Sequence, residues 1–461
     1  MGDEDGSLKA HTIEQTRVAE AFERERRLFA DEHPRSRALF DRAGSSMLNG
    51  VPMPFMTEWP GDFPIYVADA VGAEVVDVDG HRYVDLCLGD TGAMTGHAPP
   101  ATVEAMMEQF RHGASHMLPT EDSVWVAEEL QRRFHLPFWQ FALSATDANR
   151  FALRVARHVT SRPKILVFNW CYHGTVDETI VTVVDGIIGP REGNVGPPID
   201  PSVTTKVVEW NDVAALEAAL APGDVACVLA EPAMTNVGIV MPQPGFHEAL
   251  RRLTRETGTL LMLDETHTLC AGPGGCTAEW ELDPDILVVG KPLASGLPAA
   301  AYGFSGEVSE RFLGGWDPDV SVTGGLGGTL AGNALSARLM RVTMESVLTR
   351  EAYRGMIALA DRYTSGVRGA IDDAGLAWHI TQLGCRAEYR FRADPPRNGT
   401  ESVQAEERPL MRFMHLYALN RGVLLTPFHN MALMSPATTE HQVDLGVQVF
   451  DSALEELMSE A

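Results

Sequence analysis

The chain has 461 residues, of which 45% are hydrophobic and 22% are charged, so it can bury a large core and is not a mainly disordered chain. A length prior of about 150 residues per domain predicts two or three domains. Its 63 acidic and 37 basic residues give a net charge of −26, which repels phosphate backbones and argues against nucleic acid as a partner.

The cysteines and apolar runs indicate the compartment. The six cysteines are scattered without a C-x-x-C pair, and the spacing of His267, Cys270 and Cys276 fits no usual zinc pattern. No apolar run reaches about 18 residues, and the N-terminus is acidic where a signal peptide would be basic and then apolar. We therefore expect a soluble cytoplasmic protein with no metal site and no membrane partner.

The N-terminal part predicts a helix, an irregular segment and a hairpin. Residues 12–33 have the pattern of an amphipathic helix that ends before Pro34. Its apolar face carries Val18, Phe22 and Phe29. A Pro-rich apolar segment follows, and the alternating runs around Asp79-Gly80 then predict a β-hairpin over residues 73–86.

Between about residues 100 and 335, short β-branched runs alternate with helical patterns. Strands are predicted up to Leu143 and at residues 164–170, 205–210, 225–230, 259–263 and 286–289. Helices are predicted at residues 122–134, from Asp147, and at residues 213–220 and 245–256. This alternation is typical of an α/β fold with a mostly parallel sheet covered on both faces.

The chain after about residue 335 is predicted to be helical and then mixed. A strand is expected near residues 387–392, and a final helix from Thr438. Residues 394–399 and the polar run after them predict a surface loop.

Polar and reactive side chains follow five of the predicted strands where each strand ends. They are Ser144-Ala145-Thr146, Tyr172-His173, Glu231, the run Asp264-Glu265-Thr266-His267, and Lys291. In an open α/β sheet, ligands bind beyond the carboxyl ends of the strands. We therefore expect these side chains to converge on one site.

The chemistry of these residues suits one cofactor. A Ser-Ala-Thr turn at a helix N-terminus suits a phosphate, and Tyr172 offers a flat face for an aromatic ring. Asp264 can hold a protonated ring nitrogen, and Lys291 can form a Schiff base with an aldehyde. The choice of lysine is narrow, because the chain has only Lys9, Lys164, Lys206 and Lys291. Together these features predict pyridoxal 5′-phosphate.

The same residues resemble the class III (fold type I) pyridoxal-phosphate aminotransferases. The nearest branch is that of glutamate-1-semialdehyde aminomutase and the β-amino-acid and amine transaminases, also called ω-transaminases. The motifs that carry the resemblance are Val78–Leu86, Gly96-His97, Ser144–Ala148, Tyr172-His173-Gly174, Glu231-Pro232, Asp264-Glu265, Gly290-Lys291 and Gly328–Asn333. The resemblance covers roughly residues 65 to 345, and more weakly the C-terminal part.

The resemblance implies a fold and domain boundaries. The fold would be a fold type I transferase, with a large domain built on a mostly parallel seven-stranded sheet and a smaller α+β domain from both termini. The expected segments are an N-terminal segment at 1–68, a cofactor-binding domain at 69–345 and a C-terminal small domain at 346–461.

The resemblance also assigns roles to residues. Lys291 would carry the cofactor and move the substrate proton, while Asp264 would keep the ring nitrogen protonated. Thr329 would reach the phosphate of a neighbouring subunit, which implies a homodimer with shared sites. The remaining expected cofactor contacts are Ser144, Ala145, Thr146, Tyr172, His173, Glu231, Thr266 and His267.

Some of these residues have simpler interpretations. Ser144–Thr146 can cap a helix whether or not it binds a phosphate, and Glu231-Pro232 can merely end a strand. His173 is expected to be structural rather than catalytic.

The sequence also departs from the family motifs. Ala145 stands where the motif has glycine, which would weaken cofactor binding if a positive φ or a close approach of the phosphate were needed there. Thr266 and His267 replace Val and Gln or Met, which places His267 toward the ring hydroxyl.

The resemblance places the substrate pocket in residues 49–60 and 424–434, and neither stretch contains an arginine. Candidate lining residues are Met53, Phe55, Trp59, Phe428 and His429, with Arg386 as a further carboxylate contact or a structural ion pair. Such a pocket favours a bulky, apolar amine or β-amino acid.

The sequence therefore predicts a transaminase that moves an amino group from a primary amine to a keto acid such as pyruvate in two half-reactions. The alternative within the same chemistry is a glutamate-1-semialdehyde-type 2,1-aminomutase, which needs no external keto acid. More remote alternatives are a non-catalytic cofactor-binding protein and a dinucleotide-dependent oxidoreductase. For the last of these, the G-x-G-x-x-G motif was not found.

Overall fold

The computed structural model describes residues 13–315 and 324–459. The N-terminal stretch used to predict the compartment, and the predicted helix start at Thr12, lie outside these residues. The strands are β1 (Val67–Val71), β2 (Glu74–Asp77), β3 (Arg82–Asp85), β4 (Phe138–Ala142), β5 (Lys164–Phe168), β6 (Val181–Val184), β7 (Ile187–Pro190), β8 (Thr205–Val208), β9 (Val225–Ala230), β10 (Leu260–Asp264), β11 (Ile286–Val289), β12 (Ala300–Phe304), β13 (His379–Leu383), β14 (Arg386–Arg390), β15 (Val423–Leu424) and β16 (Met431–Leu433).

The α-helices are α1 (Gln15–Glu32), α2 (Pro34–Ala43), α3 (Pro100–His112), α4 (Glu121–Phe134), α5 (Ala145–Thr160), α6 (Val213–Leu220), α7 (Phe246–Thr257), α8 (Gly275–Glu279), α9 (Gly306–Gly314), α10 (Ala334–Val342), α11 (Arg350–Asp373), α12 (Gly399–Gln404), α13 (Arg408–Leu419) and α14 (Glu440–Met458). Short 3-10 helices lie at Leu48–Gly50, Pro54–Thr57, Asp177–Thr179, Pro201–Val203, Thr268–Ala271 and Lys291–Ala294, and a π-helix lies at Thr343–Val347. Among the described residues, no helix combines the length and the apolar character needed to cross a membrane.

The chain divides into two compact units. The first takes its described residues from 1–90, 355–395 and 405–461, and the second from 91–354 and 396–404. The predicted boundaries lay at residues 68 and 345, so strands β1 to β3, which were assigned to the large domain, lie in the first unit.

The second unit is built on a seven-stranded sheet with the order β4-β12-β11-β10-β9-β5-β8. Strands β11, β10, β9, β5 and β8 pair in parallel, and β12 runs antiparallel to both β11 and β4. Side chains of β10 alternate between two cores: Met262 packs with the α5 side and Leu261 with the α6 and α7 side. Both faces are therefore covered, and the predicted α/β fold is confirmed.

The first unit contains two smaller sheets, β1-β2-β3-β15 and β13-β14-β16. The predicted hairpin is confirmed, because β2 pairs with β3 in antiparallel fashion. A buried hydrogen-bond cluster lies beside its turn. The Tyr83 hydroxyl donates to Asp77 Oδ2 at 2.7 Å, and His33 Nε2 lies 2.8 Å from the Tyr83 oxygen. The cluster ties the helical N-terminal segment to the hairpin.

Two local predictions need correction. Pro34 does end α1, but it also begins α2, because proline is tolerated in the first turn of a helix. The polar run after residue 399 forms α12 rather than a loop, and the Ser402 hydroxyl in it donates to the carbonyl of Val237. Tertiary contacts stabilise a six-residue helix that its composition does not predict.

Candidate active site

A cavity of about 390 Å³ opens at the carboxyl ends of β4, β5, β10 and β11. Nine of the eleven residues predicted to bind a cofactor line it. They are Ser144, Ala145, Thr146, Tyr172, His173, Asp264, Thr266, His267 and Lys291. The convergence follows from the topology, because these strands point in one direction and end at one edge of the sheet.

Asp264 is the centre of a buried hydrogen-bond network. Its Oδ2 accepts from His173 Nδ1 and from Asn149 Nδ2, each at 2.9 Å, and its Oδ1 accepts from the backbone N–H of Thr266 at 3.1 Å. The carboxylate is 4% exposed. The Asp264 group is therefore fixed in direction by three segments of the chain.

The negative charge of Asp264 and the positive charge of His173 stabilise each other. Burial by itself raises the pKa of Asp264, but the hydrogen bonds from His173 and Asn149 lower it below its ordinary value. Burial likewise opposes a charge on His173, yet its contacts with Cys171 and Asp264 raise the pKa of the imidazole. The site thus holds a permanent carboxylate facing the cavity. His173 lies against Asp264 in this pair, and its expected structural role stays a prediction.

Lys291 lies two residues after the end of β11 and enters the cavity from a restrained backbone. Its φ is +51°, in the left-handed region that residues with side chains rarely adopt, and Pro292 follows it. Strain of this kind persists only where the surrounding structure holds it, and it is common at functional sites. Lys291 Nζ lies 2.9 Å from His267 Nε2.

The N-terminus of α5 forms another wall of the cavity. Ser144 caps the helix, since its hydroxyl oxygen accepts from the Asp147 N–H at 3.2 Å. Thr146 Oγ1 accepts from the Thr175 N–H at 3.1 Å, which leaves its own O–H able to donate into the cavity. Gly174 has φ +78°, and a Cβ there would lie 2.1 Å from Thr146 Oγ1. The chain is therefore packed closely around a helix N-terminus that can bind an anion.

These features fit pyridoxal phosphate. The first N–H groups of α5 and the Thr146 hydroxyl would hold the phosphate, and Tyr172 would cover the ring. The Thr266 hydroxyl is buried at the cavity wall and has no hydrogen-bond partner within the described part of the chain. A buried polar atom of this kind needs a partner, and a bound polar ligand would supply one.

Ala145 removes one concern raised by the sequence. It is the first residue of α5 and is not among the residues with positive φ, so the glycine of the family motif is not required for a left-handed backbone here. A Cβ on Gly290 would lie 3.0 Å from the Ala145 methyl group. The close packing at this corner therefore depends on the missing side chain of Gly290.

Two predicted cofactor contacts do not line the cavity. Glu231 ends β9 and is 4% exposed, and it accepts from the backbone N–H of Thr235 at 3.2 Å and from the Thr235 hydroxyl. Burial raises its pKa. Thr329 lies exposed in the turn before α10. The proposed phosphate contact of Thr329 concerns a neighbouring subunit and stays a prediction.

Sequence reasoning missed Asn149. This residue is fully buried on α5, where its amide donates to Asp264 Oδ2 and to the carbonyl of His173 at 3.1 Å. The available signal was a polar residue within the apolar stripe of α5, next to Ala148 and near Ala152. Its partners, however, could be identified only from the fold.

The predicted substrate residues lie in the first unit. The rings of Phe55 and Phe428 are 5.6 Å apart, Met53 is exposed, and Trp59 packs against the core that contains Phe29. Arg386 and Glu388 form a fully buried ion pair at 3.0 Å. The roles of these residues in substrate binding stay predictions.

Arg386 belongs to a buried charge cluster. His429 Nδ1 lies 3.4 Å from Glu388 Oε1, on the other carboxylate oxygen. Burial raises the pKa of Glu388, but His429 and the guanidinium groups of Arg386 and Arg390 outweigh it and lower the pKa to about 2. Arg386 therefore has the structural ion pair that the sequence analysis gave as one of its two interpretations.

Comparison with known proteins gives a consistent result. The family model "Aminotransferase class-III" matches residues 55–454. Glutamate-1-semialdehyde 2,1-aminomutase from Sorangium cellulosum is 34% identical over 434 residues, covering 92% of this chain and 97% of that protein.

Solved structures agree with this result. A glutamate-1-semialdehyde-aminomutase from Pseudomonas aeruginosa PAO1 superposes with a TM-score of 0.95 and is 48% identical, covering 97% of this chain and 100% of that one. A lysine-to-alanine variant of it is known in complex with PMP. An ω-transaminase from Sphaerobacter thermophilus has a TM-score of 0.85 and 27% identity, covering 92% and 98% of the two chains.

Proposed function

The chain belongs to the class III aminotransferase family, and on that premise we propose that it is an aminomutase that exchanges an amino and a carbonyl group between neighbouring carbons of one molecule. Membership of this family makes the protein an enzyme with pyridoxal phosphate as its cofactor. It leaves no support for the dinucleotide-dependent alternative. The relatives named as aminomutases support the aminomutase better than the transaminase, which is the first prediction from the sequence.

One observation carries the proposal for the chemistry. Lys291 Nζ and the charged Asp264 carboxylate line the same cavity, and each lies at the carboxyl end of one of two adjacent parallel strands. Pyridoxal phosphate supplies an aldehyde that takes up an amine and a ring that accepts electrons from the neighbouring carbon–hydrogen bond.

The residues of the chain divide the work around that group. Asp264, kept charged by His173 and Asn149, would hold a proton on the ring nitrogen. Lys291, as an amine, would take the proton from the substrate carbon and deliver it to the next atom. The α5 N-terminus would fix the phosphate end, so that the reacting carbon stays within reach of Lys291.

A transaminase that uses an external keto acid is the second candidate. It is favoured by the ω-transaminase relative and by the lack of arginine in residues 49–60 and 424–434, where a carboxylate-bearing substrate would find its counter-charge. The two candidates share the cavity and the catalytic residues, and they differ in the source of the returning amino group.

In the experiment, the enzyme loaded with its cofactor receives glutamate-1-semialdehyde and no keto acid. In a parallel reaction it receives 1-phenylethylamine, with and without pyruvate. Products are followed by NMR. Movement of the amino group from carbon 2 to carbon 1 without an acceptor supports the aminomutase. Amine consumption that requires pyruvate supports the transaminase. Lys291→Ala is the control, and turnover that survives in it would mean that the protein binds the cofactor without the proposed chemistry.

We also propose a homodimer in which Thr329 serves the partner's site, and a cytoplasmic location. The exposed position of Thr329 outside the cavity of its own chain supports the first proposal, and the six free, buried cysteines support the second. Thr329→Val should weaken cofactor binding in the dimer. Light scattering and a cofactor titration of the same samples check both points.

A further inference from the structure

His267 and Lys291 are brought together by the register of the sheet. Strands β10 and β11 are parallel neighbours, and Asp264 is paired with Val288. His267 lies three residues beyond Asp264, and Lys291 lies three residues beyond Val288. The two side chains therefore leave the sheet edge at the same level, which explains why Nζ and Nε2 are 2.9 Å apart.

Both sides of this contact are held by the chain. Lys291 is restrained by its left-handed backbone between Gly290 and Pro292. His267 precedes the 3-10 helix Thr268–Ala271, and its carbonyl accepts from the Cys270 N–H at 3.3 Å. These features fix the backbone positions from which the two side chains reach each other.

The chemistry of two basic nitrogens at this distance is limited. An ammonium group can only donate, so His267 Nε2 accepts when Lys291 carries the proton. A neutral Lys291 amine can instead accept from a protonated Nε2. In either case one proton lies between the two nitrogens, so the contact gives that proton a direct path from one to the other.

We infer that His267 is a catalytic residue that takes the proton of Lys291 Nζ and returns it. The N–H bond of the ammonium group breaks, an H–Nε2 bond forms, and the positive charge moves from Lys291 to His267. The electron pair stays on Nζ, which leaves an amine able to take the substrate proton. This inference rests on the proposed function, in which Lys291 is the reacting amine.

The test compares the wild type with His267→Gln, in which the side chain keeps a hydrogen-bond acceptor but binds no proton. His158→Gln, on the exposed face of α5, is the matched control. The cofactor-free, full-length protein is labelled with a trace of acetic anhydride over a range of pH, and each lysine is quantified by peptide mass spectrometry. Lys164 and Lys206, which pair with Asp224, serve as internal references.

The expected result is a difference in the shape of the profile. In the wild type and in His158→Gln, the reactivity of Lys291 levels off where the pair holds one proton, because part of that proton resides on His267. In His267→Gln the reactivity of Lys291 falls about tenfold for each unit by which the pH is lowered, without levelling. The other titratable groups that line the cavity, Asp264, His173 and Tyr172, are retained in every variant.

Activity gives a second readout. We expect kcat of the loaded His267→Gln enzyme to fall about 10²-fold, the usual contribution of one proton-transferring group, with a smaller change in KM. A wild-type labelling profile that falls without levelling overturns the inference, even if the variant does not fold. So does a levelled profile in His267→Gln. Failure of the proposed function is distinguishable, because Lys291→Ala would then keep the turnover of the loaded wild type.

Discussion

Asp264 and Glu265 are neighbours at the end of β10, yet they lie in opposite environments. Asp264 faces the cavity and accepts from two side chains and one backbone N–H. Glu265 is fully buried on the other side, where it accepts from the Thr268 hydroxyl at 2.5 Å, the Cys276 N–H at 3.1 Å and the Thr277 N–H at 2.5 Å.

The difference lies in what each carboxylate fixes. The partners of Asp264 keep it charged at the wall of a ligand cavity, so its charge is available to a bound ring. The Glu265 contacts described above go to the 3-10 helix Thr268–Ala271 and to α8, so this residue holds together the segment that begins at His267. One strand end thus carries a chemical group and a structural group side by side, and sequence position alone does not distinguish them.

The largest expected effect is on the chemical side. Asp264→Asn keeps the shape but removes the charge, and we expect kcat to fall about 10²- to 10³-fold, as when one preorganised electrostatic contact is lost. Stability should change much less, by about 1–3 kcal/mol for the altered contact to His173. Steady-state kinetics and denaturant unfolding of the same preparation measure both. A variant with nearly full kcat would abolish the distinction between the two carboxylates.

Substitution of Glu265 should lower the stability of the fold. Glu265→Ala leaves three donors without their acceptor, and each buried unsatisfied group costs about 1–3 kcal/mol, so the free energy of unfolding should fall by at least about 2 kcal/mol. Glu265→Gln retains one oxygen and should lose less. Urea unfolding gives these values. If the alanine variant is as stable as the wild type, Glu265 does not hold the loop.

Much of this strand end could be predicted from the sequence. The alternation of β-branched runs and helical patterns located β5, β8, β9, β10 and β11 to within two residues, and the rule on carboxyl ends located the site. The separation of Asp264 from Glu265 could not be predicted, because it depends on which face of the strand meets the α8 loop. Asn149 was missed because the fold alone brings its partners, Asp264 and the His173 carbonyl, to α5, and α12 because distant contacts stabilise it.

Two glycines that pack closely against side chains, one at the cavity and one at Glu265, test the difference between the two sides of β10. Gly174 has φ +78° and a Cβ there would meet Thr146 Oγ1 at 2.1 Å, whereas Gly275 has φ +60° and a Cβ there would meet Glu265 Oε2 at 2.3 Å. We expect Gly174→Ala to raise the cofactor Kd about tenfold or more, because it displaces a phosphate contact. Gly275→Ala should lower stability by about 1–3 kcal/mol with little change in Kd.

Fluorescence titration with pyridoxal phosphate and thermal unfolding separate these outcomes. An unchanged Kd in the Gly174 variant would mean that Thr146 does not help to bind the phosphate. Equal losses of stability and affinity in both variants would show that the two sides of β10 are not independent.

The pH dependence of stability should have opposite signs for the two carboxylates. The pKa of Asp264 is lowered from 3.8 in the folded protein, so its stabilisation is present above pH 3.8 and lost as pH falls through the folded value. Burial raises the pKa of Glu265 above 4.5, so its stabilisation is present below pH 4.5 and lost as pH rises through the folded value.

Unfolding free energies of the wild type, Asp264→Asn and Glu265→Gln, measured below about pH 6, test these signs, since His173 then stays protonated in the folded and unfolded states. The stability advantage of the wild type over Asp264→Asn should grow with rising pH. Its advantage over Glu265→Gln should shrink. Parallel curves would show that the two environments do not differ in the way that their burial and hydrogen bonds indicate.

The smallest expected effect concerns Ala145, one of three departures from the family motifs that line the cavity. Because Ala145 opens α5 with an ordinary helical backbone, Ala145→Gly gains no needed conformation and should destabilise the protein by no more than about 0.5–1 kcal/mol. The cofactor Kd should stay within about twofold, since the phosphate would be held by N–H groups that both residues possess.

Gly290→Ala is the informative partner, because its Cβ would lie 3.0 Å from the Ala145 methyl group. Ala145→Gly should relieve that crowding in the double variant. A tenfold or greater tightening of cofactor binding in Ala145→Gly alone would mean instead that the methyl group obstructs the phosphate, and the cavity side of β10 would then be less well formed than its hydrogen bonds indicate.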